Sequence, residues 1–183
     1  MTLIIVLVVL GAIVLLLGMI YNSLVQLRVR SESAWSDIDV QLKRRHDLIP
    51  NLVETVKGYA AHEKGTFEDI AKYRSMAMQA TAPADRAQAE NQLTQSLKSL
   101  FAVAENYPQL QASGQFQSLQ NSLNSLEDAI QNSRRYYNAV VRDLNTKIAS
   151  FPTNIIAGMF GFSTKQFFEA PEGDRENVAV KFT

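Results

Sequence analysis

The chain has 183 residues, with 18 Lys plus Arg set against 18 Asp plus Glu, for a formal net charge of +0. Nucleic-acid binders gather a basic excess on one face, so no nucleic acid is expected as a partner. The chain has no cysteine, which excludes a lipoprotein-type attachment and fits either a reducing compartment or a thiol-free periplasmic protein.

In chain order, the first 27 residues carry no Asp, Glu, Lys, Arg or His, and residues 3–20 form one apolar run. At about 1.5 Å of rise per residue, such a run spans the ~30 Å hydrocarbon core of a bilayer. Inside lipid each backbone N–H and C=O must be paired within the segment, which selects a helix. Residues 1–21 are therefore expected to form an uncleaved single-pass transmembrane anchor, with Leu3, Ile4, Ile5, Leu10, Ile13, Leu16 and Ile20 toward lipid. A cleavable signal would need a basic leading segment and a small-residue cleavage site, and Gly18-Met19-Ile20 is a poor one. A buried core helix fails as an alternative, because nothing else in the chain can surround a helix apolar on every side.

Arg28, Arg30, Lys43, Arg44 and Arg45 follow the span, while only the terminal amine precedes it. The positive-inside rule then favours a cytoplasmic over a periplasmic domain, on a protein of the cell (inner) membrane.

Beyond the span, apolar or small residues recur at Leu24, Leu27, Ser31, Trp35, Ile38 and Leu42, in steps of three or four that mark one helical stripe. Pro50 is expected to kink or restart this helix, with Asp47 capping a new first turn. Val53, Val56, Ala60, Phe67, Ile70 and Arg74 carry the stripe onward, with Gly58 and Gly65 as weak points. Residues 79–85 read as a turn, and Leu93, Leu97, Leu100, Ala104 and Tyr107 mark another helix that Pro108 ends. The longest pattern runs Phe116, Leu119, Leu123, Leu126, Ile130, Ser133, Tyr137, Val140, Leu144 and Ile148, closed by Phe151-Pro152. Such three–four alternation predicts coiled-coil-like packing over about 58 Å of helix. The expected fold is all-α: a transmembrane helix followed by an elongated antiparallel helical bundle at residues 22–168, then a flexible tail at 169–183.

The segment Ala34-Trp35-Ser36-Asp37-Ile38-Asp39-Val40-Gln41-Leu42-Lys43-Arg44-Arg45-His46-Asp47-Leu48-Ile49-Pro50-Asn51-Leu52-Val53-Glu54-Thr55-Val56-Lys57-Gly58-Tyr59 resembles the signature of the bacterial LemA family. Tyr21-Asn22, Tyr107-Pro108, Tyr137-Asn138, Phe151-Pro152 and Gly161-Phe162 fall where such proteins carry those pairs, so the resemblance extends from Tyr21 to about Phe168. The chain departs mildly from the pattern: His46 stands where Tyr is frequent, and Leu144 precedes Asn145 where many members have Tyr. The resemblance implies a membrane anchor and an antiparallel helical bundle, cytoplasmic or periplasmic. Members lack an established catalytic activity, so the resemblance supplies no mechanism.

The residues themselves point to no catalytic, cofactor or metal site. His46 and His62 are the only histidines. His62-Glu63-Lys64-Gly65-Thr66 lacks the second histidine of a zincin helix, and Lys43 and Tyr59 stand where a di-metal bundle needs glutamates. Asp37 and Asp39 cannot face the same way on a helix, and Lys43-Arg44-Arg45 reads as solvated or inter-helix ion pairs, Asp39 to Lys43 being a four-residue step. The sharper reading of that basic triplet is contact with anionic lipid. Asn51-Leu52-Val53-Glu54 and Tyr137-Asn138 place polar groups beside seam residues, where buried amides fix register or, alternatively, line a binding groove.

After Pro152 a second apolar cluster contains Ile155, Ile156, Met159, Phe160, Phe162, Phe167 and Phe168. It is either a cap on the bundle end or an interfacial segment against lipid or a second subunit. Ile156, Phe160, Phe162, Phe167 and Phe168 are the candidate interaction residues. Residues 178–182 alternate as a strand would and could extend a partner's sheet edge. Together these features predict a non-catalytic, membrane-anchored interaction or scaffold protein of the bacterial envelope. Its expected partners are the lipid bilayer, further copies of itself and other membrane proteins. The alternative is an envelope enzyme or accessory subunit whose active groups converge only in the fold.

Overall fold

The structure, a computed structural model, describes residues 1–168, and the strand-like pattern at 178–182 lies outside them. The described residues form helices and no strand: α1 (Thr2–Lys57), α2 (Lys64–Gln79), α3 (Pro83–Ala104), α4 (Pro108–Gln111), α5 (Gly114–Ala149) and α6 (Thr153–Met159). Prolines open two of them. Ala82 is extended, with ψ 140°, and Pro83 follows at the first turn of α3; Pro108 starts α4 in the same way. A proline there loses no helical hydrogen bond, since the first N–H groups of a helix have no intrahelical acceptor.

Pro50 does not restart the helix. Helix α1 runs unbroken through it for 56 residues. Proline lacks the N–H that would bond the carbonyl four residues back, which is that of His46. That carbonyl instead accepts a hydrogen bond from Arg74 Nε of α2 at 2.9 Å. The proline's cost is thus offset by a side chain from a neighbouring helix.

The chain divides into two compact units, and α1 and α5 contribute to both. In the first unit, residues 1–39 with 132–167, α1 and α5 run antiparallel: Trp35 stacks on Tyr137 at 5.3 Å between ring centroids, and Lys147 reaches Ser23. Leu24, Leu144, Ile156 and Ala157 form the core at one end, with Ile20, Leu27, Ile148 and Phe162 packed around them. The segment after α6 is clipped to α5. Asn145 donates to the Lys165 carbonyl and accepts from its N–H, both at 2.9 Å, and the Tyr137 hydroxyl donates to the Gln166 carbonyl at 2.9 Å. Tyr137 is buried, and burial raises the pKa of its phenol, keeping it a neutral donor.

The second unit comprises residues 40–131 and Phe168 of the described chain. Ile49, Leu52 and Val56 of α1, Phe67 and Ile70 of α2, Leu93, Leu97 and Leu100 of α3, Leu110, and Phe116 and Leu123 of α5 make one core. Fully burying a side chain of this size stabilises by about 1.5–3 kcal/mol, so this cluster is the unit's main source of cohesion. Here α2 runs antiparallel to α1, as Arg74 meets His46 and Lys57 lies over Phe67 at 5.7 Å. Along α5, Phe116, Leu123, Ile130, Tyr137 and Leu144 are all buried, a seven-residue repeat of the kind that keeps one seam facing its neighbours.

Candidate functional site

The stripe that packs α1 into the second unit continues from Leu42 to Ile49, Leu52 and Val56. Steps of three and four put Arg45 on that same stripe, and Arg45 is 1% exposed. On α3, Glu90 precedes Leu93, Leu97 and Leu100 at the same spacing and is 2% exposed. Two charged side chains therefore occupy core positions and meet there. Arg45 Nη2 donates to Glu90 Oε2. Its Nη1 donates to Glu127 Oε1 at 2.6 Å and to Thr94 Oγ1 at 2.9 Å. Thr94 in turn donates to the Glu90 carbonyl at 3.0 Å. One guanidinium thus ties α1 to both α3 and α5.

His46, also buried, extends this cluster, its Nε2 lying 2.9 Å from Glu90 Oε1. Burial and the charges of Arg45, Arg74 and Arg86 lower its pKa to about 4, with Asp47 opposing weakly. The imidazole is therefore neutral at pH 7. Buried ion pairs repay their desolvation only when geometry and extra hydrogen bonds are good. Here they fix how three helices align.

The basic triplet is accordingly split: Lys43 and Arg44 are exposed, whereas Arg45 is core. Both alternatives expected for the triplet therefore occur in it: Lys43 and Arg44 face solvent, and Arg45 makes inter-helix ion pairs. Asn51 is exposed, not a buried register-setting amide, and lines an open groove with Glu54, Tyr59, Ser113 and Gln115. Glu54 faces outward and pairs with Lys57 at 2.8 Å. His62 is exposed. Among the described residues no three His, Cys, Asp or Glu are grouped to hold a metal ion.

Of the anchor residues, Leu3, Ile4, Ile5, Leu10, Ile13 and Leu16 are exposed on a helix long and apolar enough to cross a membrane, and Ile20 is half-buried. The candidate interaction residues separate. Ile156 and Phe168 are buried and cannot present a surface, because their side chains complete the packing. Phe160 is exposed and packs at a tilt against Tyr21 at 4.8 Å. Phe162 is half-buried beneath Arg28, whose guanidinium is 5.4 Å from the ring centre, and Phe167 is exposed. An inter-helix pair for Arg45 was among the sequence expectations, but its partner Glu90 and the burial of both were not; the signal for them is a charged residue in register with an apolar seam.

Comparison with known proteins places this arrangement. The model of the LemA family matches residues 34–182. Magnetosome proteins MamQ 1 and MamQ 2 of Paramagnetospirillum magneticum are each 28% identical, over 84% of this chain and 66% of their own length. Protein LemA of Metamycoplasma hominis is 27% identical, over 86% of this chain and 72% of its own. The chain spans just under two thirds of the length of the magnetosome relatives. With the family pattern covering most of its length and an all-helical fold carrying it, the chain belongs to the LemA family.

Proposed function

We propose that this protein is a membrane-anchored, non-catalytic interaction module, a scaffold of the bacterial envelope held by a single pass of α1 in the inner membrane. The observation that carries this reading is a contrast along one helix. The apolar start of α1 is exposed along its length, whereas Arg45 further along is sealed with Glu90, Thr94 and Glu127. Exposed apolar surface on that scale calls for lipid. The buried groups that chemistry would need, a carboxylate and an imidazole, are committed to aligning helices. The basic residues after the span, Arg28, Arg30, Lys43 and Arg44, favour a cytoplasmic bundle. Confinement to a plane raises the effective concentration of each copy toward others, so weak contacts suffice for a homo-oligomer or for pairing with other membrane proteins.

The test is extraction and truncation together with assay. The full chain should leave membranes only with detergent, and removal of residues 1–20 should release a soluble helical protein. A chain washed off by alkaline carbonate would contradict the anchor. Stoichiometric metal or hydrolase turnover in the purified protein would contradict the non-catalytic reading in favour of an envelope enzyme.

A further inference from the structure

The end of the first unit that carries α6 has an apolar face the bundle leaves uncovered. Ile156 and Ala157 turn inward, but Phe151, Ile155, Met159 and Phe160 are 80%, 52%, 74% and 59% exposed. A contiguous apolar face of this kind marks a contact with something else.

Its position identifies the partner. Because α5 runs antiparallel to α1 and Lys147 meets Ser23, the end of α5 comes level with the last turn of the apolar run. Ile20, the final residue of that run, packs against the core formed by Leu24, Leu144, Ile156 and Ala157. Tyr21, the next residue, packs its ring at a tilt against Phe160 at 4.8 Å and edge-on against Phe162 at 5.8 Å. The uncovered face therefore lies at the depth where α1 leaves the hydrocarbon.

Charge points the same way. Residues 1–31 and 144–167 contain no Asp or Glu, yet they include Arg28, Arg30 and Lys147, and Lys165, which pairs with Glu32 at 3.3 Å. No carboxylate there would be driven against headgroup phosphates, and Arg28 lies over the Phe162 ring. Aromatic rings beside basic side chains at a span's end are the composition suited to the bilayer interface.

We propose that α6 and its flanking aromatics form a second membrane contact, with Phe151, Ile155, Met159 and Phe160 resting in the headgroup–acyl boundary of the bilayer that α1 crosses. The contact limits tilting of α1 against the first unit, because the span and this foot meet the same surface. This inference rests on the anchor reading, and the test separates the two.

The chain has no cysteine, so single labels are unambiguous. Full-length Phe151→Cys, Met159→Cys, Leu10→Cys and Asp37→Cys variants carry an environment-sensitive fluorophore in vesicles of phosphatidylcholine and phosphatidylglycerol. Lipid bearing a nitroxide near the headgroup serves as quencher. Asp37, exposed about 25 Å along α1 beyond Ile20, is the aqueous reference, and Leu10 reports the span. Labels at 151 and 159 should be quenched several-fold more than at 37 and shifted to the blue. Quenching at both no greater than at 37, with the label at 10 in lipid, would overturn the foot and leave the anchor standing. A label at 10 outside lipid would overturn both. Shielding of 151 and 159 from aqueous iodide that grows with protein-to-lipid ratio, without lipid quenching, would assign the face to a second copy and also overturn the proposal.

Discussion

Arg74 donates from Nε to the carbonyl oxygen of His46 at 2.9 Å, the acceptor that Pro50 leaves without its helical partner. A defect in one helix is thereby converted into a tie to the next. Removing one side of a buried hydrogen bond costs about 1–3 kcal/mol, so Arg74→Met should destabilise the full chain by that order in urea titrations in mild detergent. Pro50→Ala restores an N–H to bond the His46 carbonyl. In that background Arg74→Met should cost clearly less, a coupling that a double-mutant cycle reads directly. Equal costs in both backgrounds would show that the contact is incidental.

The Arg45 cluster makes a second energetic prediction. Arg45→Met leaves Glu90 buried at 2% exposure without its cation, and breaking such a pair costs about 3–5 kcal/mol. Adding Glu90→Gln removes the stranded charge and should recover a substantial part of the loss. If the two substitutions instead add independently, the pair does not hold α1 to α3.

His46 ties stability to pH. Its folded pKa, about 4, lies below the unfolded value of about 6.5, so the unfolded chain takes up the proton first as pH falls. The neutral imidazole's contribution is full above about pH 6.5 and is lost progressively toward pH 4, by at most about 3 kcal/mol. Thermal unfolding followed over that window should show a shallower acid loss for His46→Gln than for the parent chain. A steeper loss in the variant would mean that Glu90 holds an imidazolium and that burial and the neighbouring arginines do not keep the ring neutral.

Orientation is open to direct measurement. With the bundle cytoplasmic, Lys181→Cys in this thiol-free chain should resist an impermeant maleimide in intact spheroplasts and react after permeabilisation. Reaction in intact spheroplasts would put the domain outside.

The helices were legible because apolar residues at steps of three and four mark the buried face directly, as at Leu24, Ile38 and Leu42 on α1 or Leu93, Leu97 and Leu100 on α3. Two features were not legible for a common reason. The rescue of the His46 carbonyl comes from Arg74, 28 residues away, and the partners of Arg45 lie 45 and 82 residues away. Local rules see the proline and the charges but not the groups that compensate them. The cluster after Pro152 divided in a similar way. Composition placed Ile156 and Phe160 in one apolar segment, but tertiary packing decided that Ile156 is covered and Phe160 is not.

The central claim is that the tethered bundle works by association, and crosslinking in native membranes tests it most directly. A photoreactive residue placed at Gln117 or Asn121, both exposed on α5, should yield a discrete adduct with a second copy of the chain, and that adduct should be lost when residues 1–20 are removed. A chain that runs as an unadducted monomer from both positions, in membranes where its anchor is intact, would contradict the account.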